Sequence, residues 1–322
     1  MDYAHTKTDE LIAELEKKIK KKYSLALKAI EESLKKNEKI LVIEDAKKKA
    51  TLTKSQYKQW KLGKIALNKR LKDVEGEIST ELEKAHLKAI LLAQEYMGDA
   101  FALNVNYMGY DMAQKSTIDF AFSVYDKETV EMLINDNPRL LPITIGEKQK
   151  KFAEWSREKV SHAVKQGILQ GEDIRHIAKG LRDVCQMAQG SSIRNARTVM
   201  TAAENKGRQK GLEKVSKAGL KVRKQWLAVH DMRTRHAHRV LDGQIVDIDK
   251  PFKVDGYNLE EPGDPTAPGY LVYNCRCTMV GVLAGFEKSM KELPLNLALN
   301  NMTYEEWVDS KPKYTKKKGA KK

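Results

Sequence analysis

Two short strings hold the residue types best suited to chemistry. The first is His230-Asp231-Met232-Arg233-Thr234-Arg235-His236-Ala237-His238-Arg239. The second, further along the chain, is Asn274-Cys275-Arg276-Cys277. Imidazole and thiolate are the donors that zinc prefers. If the two strings meet in the fold, His238, Cys275 and Cys277 with His236, or with His230 in its place, make a closed tetrahedral set. A structural zinc held there turns ligation energy into folding energy. Weighing the other way, Cys-x-Cys is tighter than the usual zinc knuckle. The cysteines could equally be small core residues and the histidines local hydrogen-bonders.

The same residues are poorly equipped for catalysis. A thiol beside Arg276 can have a lowered pKa. However, the chain has no Gly-rich phosphate loop, no His-Glu-x-x-His and no nucleophile elbow. Asp264, in Gly263-Asp264-Pro265, has no evident second carboxylate. The expectation is therefore a chain that is not an enzyme, with no catalytic residues. His5, His86, His162 and His176 stand alone in helical text and read as surface or packing residues.

The elements that must position these strings follow from periodicity. After Thr8, apolar residues recur at Leu11, Leu15, Ile19, Ala26, Ile30 and Leu34, which is helical spacing. Thr53 is placed to cap a second helix, with a stripe of Leu67, Leu71, Val74, Ile78, Leu82, Ala85, Ala89 and Leu92. Gly63 and Gly76 are the expected weak points in it. Between Gly98 and Pro142 the pattern fades and predicts loops with short helices. A helix resumes after Thr144, a turn is expected at Gly167 to Gly171, and Ile174 to Val184 carries the next helix. Ser191 is a plausible N-cap for a further helix to about Lys210. Its Arg194, Arg197, Lys206, Arg208 and Lys210 suggest a cationic face, for nucleic acid or for water alone. From Lys221 the text alternates as a half-buried strand, turns follow at Asp242-Gly243 and Asp255-Gly256, and Tyr270 to Tyr273 and Met279 to Leu283 are apolar runs. The fold class is mainly α, with an elongated helical N-terminal part, a small C-terminal α+β unit and a disordered basic tail. The divisions are a helical N-terminal region (1–145), a helical middle region (146–220), the α+β unit (221–285) and an extension with a Lys-rich tail (286–322).

Composition narrows the partners. Among 322 residues, 59 Lys and Arg face 44 Asp and Glu, a net charge of +15 that favours polyanions, nucleic acid first. The tail lysines Lys311, Lys313, Lys316, Lys317, Lys318, Lys321 and Lys322 are the candidate DNA contacts. Three cysteines, Cys185 being the third, form no disulfide framework, and a bridge between Cys275 and Cys277 would be strained. A reducing compartment is the simplest inference. Met1 to Lys22 has no apolar stretch suited to a signal peptide, and no apolar run is long enough to span a membrane. The expectation is a product made and used from the cytosol, with no membrane partner.

One set of residues also carries a family likeness. Trp226 to Val229, Asp231-x-Arg233-Thr234-Arg235-His236-x-His238-Arg239, Asp242-Gly243-Gln244, Phe252, Pro262-Gly263-Asp264-Pro265 and Asn274-Cys275-Arg276-Cys277-Thr278 together resemble the C-terminal signature of tailed-phage head-morphogenesis (minor head) proteins. Ala196-Arg197-Thr198, Glu204-Asn205 and Gly207-Arg208 are similar in kind. The resemblance implies a structural minor capsid protein acting in head assembly and associated with the portal protein and packaged phage DNA. Scaffold or major capsid protein are further possible contacts. It places the chain in the head interior of the virion, and in the host cytoplasm during assembly. Some relatives carry toxin or other extra domains, and none is evident after the signature here. The alternatives are a metal-dependent DNA-processing enzyme and a generic basic nucleic-acid-binding protein.

Overall fold

A computed structural model describes residues 2–41, 43–116, 120–136, 145–170, 174–284 and 302–315. Its elements in chain order are α1 (Tyr3–Lys36), α2 (Glu38–Leu41), α3 (Ala46–Thr51), α4 (Lys54–Leu67), α5 (Lys69–Lys115), α6 (Lys127–Asp136), α7 (Ile145–Gln170), α8 (Ile174–Lys217), β1 (Val222–Leu227), α9 (His236–Leu241), β2 (Ile245–Asp247), β3 (Phe252–Val254), β4 (Tyr257–Leu259), α10 (Gly269–Val272), β5 (Thr278–Leu283) and α11 (Tyr304–Ser310). The expected class holds: long N-terminal helices precede a small sheet region near the C-terminus. Among the described residues, no helix is long and apolar enough to cross a membrane.

Two compact units emerge, and they do not follow chain order. One is Met1–Leu15, Ala93–Ile143 and Arg194–Lys322; the other is Glu16–Leu92 and Thr144–Ile193. The second unit is all helix. Its core takes Ile19, Ile30 and Leu34 from α1, Leu71, Val74, Ile78 and Leu82 from α5, Val160 and Val164 from α7, and Ile177 and Leu181 from α8. These are the residues that the periodicity selected. Leu67 is the exception, at 86% exposed, because it closes α4. Thr53 does cap α4, in a reciprocal box with Gln56. The break falls at Asn68, where the backbone leaves helical geometry, and neither Gly63 nor Gly76 interrupts its helix. His86 is a packing residue here, stacked 3.8 Å from the Phe152 ring and sharing Ser192 with the Tyr23 hydroxyl. Burial pushes the Cys185 thiol up to about 11, so it is inert.

Three expectations need correction. The stretch from Gly98, read as loop, continues α5 to Lys115. Its breakers serve tertiary contacts: Asn104 donates to the Ala100 carbonyl and the Thr8 hydroxyl, and Asn106 exchanges two bonds with the Tyr125 backbone. A Cβ on Gly109 would lie 2.6 Å from the Phe122 ring. Gly167 is likewise helical, with no room for a Cβ against Ile177 at 2.4 Å; residues 171–173 lie outside the described residues. Finally, Ser191 caps nothing, since α8 runs unbroken for 44 residues.

In the first unit α8 is the spine. Gly207 and Gly211 bring its backbone against α5, where added Cβ atoms would meet the Phe101 and Val105 carbonyls at 2.6 Å. Next to them Arg208 is fully buried. It donates to Asp2 at 2.6 and 2.7 Å, to Asn104 at 2.9 Å and to the Met279 carbonyl at 3.0 Å. Glu204 accepts from Thr278 and bonds the His5 ring, both at 2.7 Å. Arg194 is exposed and the half-buried Lys206 and Lys210 pair with Glu261 and Glu213, so of the expected cationic face Arg208 is the residue turned fully inward. A buried charge is tolerated only when paired in this way.

The sheet has the order β2-β1-β5, all antiparallel, and β3 and β4 form a separate hairpin. Asp255 (φ 51°) and Gly256 (φ 77°) turn that hairpin, the left-handed pair such a two-residue turn requires. Tyr270 to Tyr273, an apolar run in sequence, contains the short helix α10. The start of the basic tail packs on this unit: Lys313 bridges Val124, and the Tyr314 ring sits 5.0 Å from Tyr125. Residues 316–322 lie outside the described residues.

Candidate metal centre

The His and Cys strings do meet. His238 comes from α9, which also buries Ala237 and Leu241 beneath the sheet. Cys275 and Cys277 lie on the approach to β5. The three side chains are buried, and their donor atoms all lie within 4.8 Å of one another. His238 Nδ1 stands 3.6 Å from Cys275 Sγ and 3.3 Å from Cys277 Sγ. The other ring nitrogen, Nε2, lies 2.8 Å from the Leu271 carbonyl. A carbonyl can only accept, so Nε2 carries the proton and the Nδ1 lone pair faces the sulfurs. Trp226, fully buried, meets the imidazole edge-on at 5.9 Å and Phe252 at 5.2 Å. The surroundings are therefore dry.

The two thiols are pushed apart. A hydrogen bond from Cys277 holds the Cys275 thiol well below its ordinary pKa, helped by His238 and by the Cys277 backbone N–H at 3.3 Å, against desolvation. That same bond, with burial, raises Cys277.

The fourth expected ligand is not brought in. His236 is exposed on α9 and outside the group. Residues two apart on a helix point to opposite sides, so burying His238 turns His236 outward. His230 is exposed and pairs with Asp242 at 3.0 Å. Among the described residues, His238, Cys275 and Cys277 are the whole set. As for the tail, Lys311 lies over the Trp307 ring at 5.5 Å and Lys313 pairs with Asp126 at 3.2 Å. Lys316, Lys317, Lys318, Lys321 and Lys322 lie outside the described residues.

Several residues that shape the site carried the likeness in sequence without a structural role, and Thr201 was missed. Thr201 and Asn205 on α8 donate to the Cys275 and Cys277 carbonyls at 2.8 and 3.2 Å, and Thr198 accepts from the Asn274 N–H at 2.9 Å. Asn274 takes a left-handed φ of 54° to present that N–H. Asp264 closes its own loop, accepting from the Glu260 N–H, the Thr266 N–H and the Thr266 hydroxyl. Gly263, at φ 84°, lets that loop lie against the α8 backbone, where a Cβ would come within 3.1 Å of the Ala202 nitrogen. The signal was weak, because polar residues occupy the i, i+3, i+4 spacing that an apolar stripe normally takes. Thr201, Glu204, Asn205, Arg208 and Gln209 are all buried.

A long helix pins a small sheet through a Pro-Gly-Asp-Pro loop and an Asn-Cys-Arg-Cys run. Residues 158–280 match the family described as Phage Mu protein F like protein. Over 94% of its length the chain is 26% identical to the Minor head protein GP7 of Bacillus phage SPP1, covering 94% of that protein. This chain is thus similar to the phage minor head proteins, as the resemblance implied. It is also 24% identical, over 76% of its length, to the NAD(+)–arginine ADP-ribosyltransferase EFV of Enterococcus faecalis, of which it spans about half (51%). A Haemophilus influenzae protein is 26% identical over 55% of this chain and 37% of its own length. No solved structure matches.

The Enterococcus relative corrects one expectation. A chain excluded from enzymes by its motifs has a relative named for an enzymatic activity, so the exclusion does not stand. A motif inventory tests only the chemistries it contains, and ADP-ribose transfer from NAD was not among them.

Proposed function

We propose that this chain is a minor head protein acting in assembly of a tailed-phage head, docked on the portal and retained with the packaged DNA. The observation that carries the reading is the end-to-end match to Minor head protein GP7, 94% of both chains. In this reading the helical N-terminal region (1–145) supplies the portal-docking surface. The net charge of +15 suits a protein confined beside DNA, with the lysines after Thr315 as the DNA-facing set. Its place is the head interior, reached from the host cytoplasm. The test is direct binding: full-length chain mixed with its cognate portal protein and separated by size-exclusion chromatography. Co-elution supports docking; separate elution at micromolar concentrations of both removes it.

A second reading rests on the Enterococcus relative alone: transfer of ADP-ribose from NAD to arginine. Incubating the full chain with labelled NAD and an arginine-rich acceptor decides it, by label incorporated or not.

A further inference from the structure

We propose that His238, Cys275 and Cys277 together bind one soft divalent cation, zinc in the cell, which clamps α9 to the run leading into β5. The donor set comes first. Two sulfurs and an imidazole nitrogen select zinc over the oxygen-loving cations. Geometry agrees: bond lengths of about 2.3 Å to sulfur and 2.0 Å to nitrogen, at a tetrahedral angle, put nitrogen and sulfur about 3.5 Å apart. The observed separations are 3.3 and 3.6 Å.

Orientation is the second argument. The Nε2–H bond to the Leu271 carbonyl fixes the ring with Nδ1 toward the sulfurs, the outer-shell partner that metal-bound histidines regularly have. The cysteines are fixed as well, through their carbonyls, by Thr201 and Asn205. A single imidazole lone pair can accept only one S–H at a time, so it cannot pair with both sulfurs. A dication with two thiolates serves all three donors and is neutral overall, which lowers the cost of burying it. Among the described residues no other His, Cys, Asp or Glu joins the group, so the chain supplies three of the four ligands of a tetrahedral ion. The gain is a cross-link between segments 37 residues apart in a sheet unit of marginal size.

The experiment uses the full chain, reduced and freed of metal by chelator, titrated with Co2+ and then Zn2+. One Co2+ per chain with strong sulfur-to-cobalt charge-transfer absorption, displaced by Zn2+, is the expected result. Cys185→Ser and His236→Ala keep that absorption, while Cys275→Ser and Cys277→Ser each weaken binding roughly tenfold or more. Wild-type protein without the charge-transfer band overturns the proposal, as a thiol–imidazole hydrogen bond alone gives no such band. The same holds if Cys275→Ser retains the band undiminished. Should the cysteine variants fail to fold, the wild type still decides: Zn2+ must raise its thermal midpoint and shield two of its three thiols from alkylation. An unchanged midpoint with unchanged labelling also overturns the site.

Discussion

The Arg276 guanidinium reaches back 45 residues to grip Asp231 with two hydrogen bonds, Nη1 to Oδ2 at 2.6 Å and Nη2 to Oδ1 at 2.8 Å. The alternation of Asn-Cys-Arg-Cys thereby does two jobs: Cys275 and Cys277 turn inward to His238, and Arg276 turns outward to fix the 230s turn.

That pair predicts a pH signature. The Arg276 hydrogen bonds hold the Asp231 carboxyl far below the ordinary aspartate range, against desolvation. A depressed folded value stabilises fully above the unfolded pKa of about 4, and the contribution is lost as pH falls further. Arg276→Ala should therefore melt below wild type at neutral pH, with the gap closing progressively under about pH 4. Arg276→Lys should recover little, because an ammonium cannot form the two-pronged contact. Thermal midpoints across pH check this; a gap independent of pH speaks against the pairing.

Lys214 predicts the same direction in an alkaline window. Its ammonium lies 4.3 and 3.9 Å from the Phe122 and Tyr125 ring centroids, and burial, with Lys210 adding repulsion, lowers its pKa to about 7. The folded state binds fewer protons than the unfolded one between that value and about 10.4, so stability rises with pH across this window. Lys214→Met removes the effect. Wild type should gain on the variant in denaturant midpoints as pH is raised from 7 toward 10, and parallel curves would contradict it.

Two helical glycines should respond with opposite sign. Gly76 has open space around a new Cβ, so Gly76→Ala should stabilise by ~0.5–1 kcal/mol through helix propensity. At Gly207 the new methyl meets the Phe101 carbonyl at 2.6 Å, and Gly207→Ala should destabilise by ~1–3 kcal/mol. Chemical denaturation of the two variants is the measurement. Equal effects would mean that α5 and α8 are not in close contact there.

Deleting residues 316–322 removes five lysines while sparing the ordered bridge at Lys313. If they meet phosphates, the log–log salt slope of DNA binding should fall by up to about 4.5, at about 0.9 per contact, with the thermal midpoint unchanged. An unchanged slope would place the DNA-facing charge elsewhere.

How far the sequence could be read depended on the length scale of each cause. Helix α1 was legible because its stripe from Ile19 to Leu34 is a local pattern facing one core. The cluster of His238 with the two cysteines was legible because donor chemistry is written in residue type. His236 misled because its direction depends on α9 being a helix, which six residues cannot announce. The stretch from Asn104 to Gly109 misled for a different reason. Its polar and glycine residues normally signal loops, but here they meet Arg208, Tyr125 and Phe122, partners far away in the chain.

The most direct test of the account is the composition of assembled heads. Heads of a phage or induced prophage encoding this chain would be purified by sedimentation, and its ratio to portal and major capsid protein measured by quantitative mass spectrometry. The account predicts co-sedimentation at a low, fixed ratio to portal. Heads that contain portal but lack this chain would contradict it.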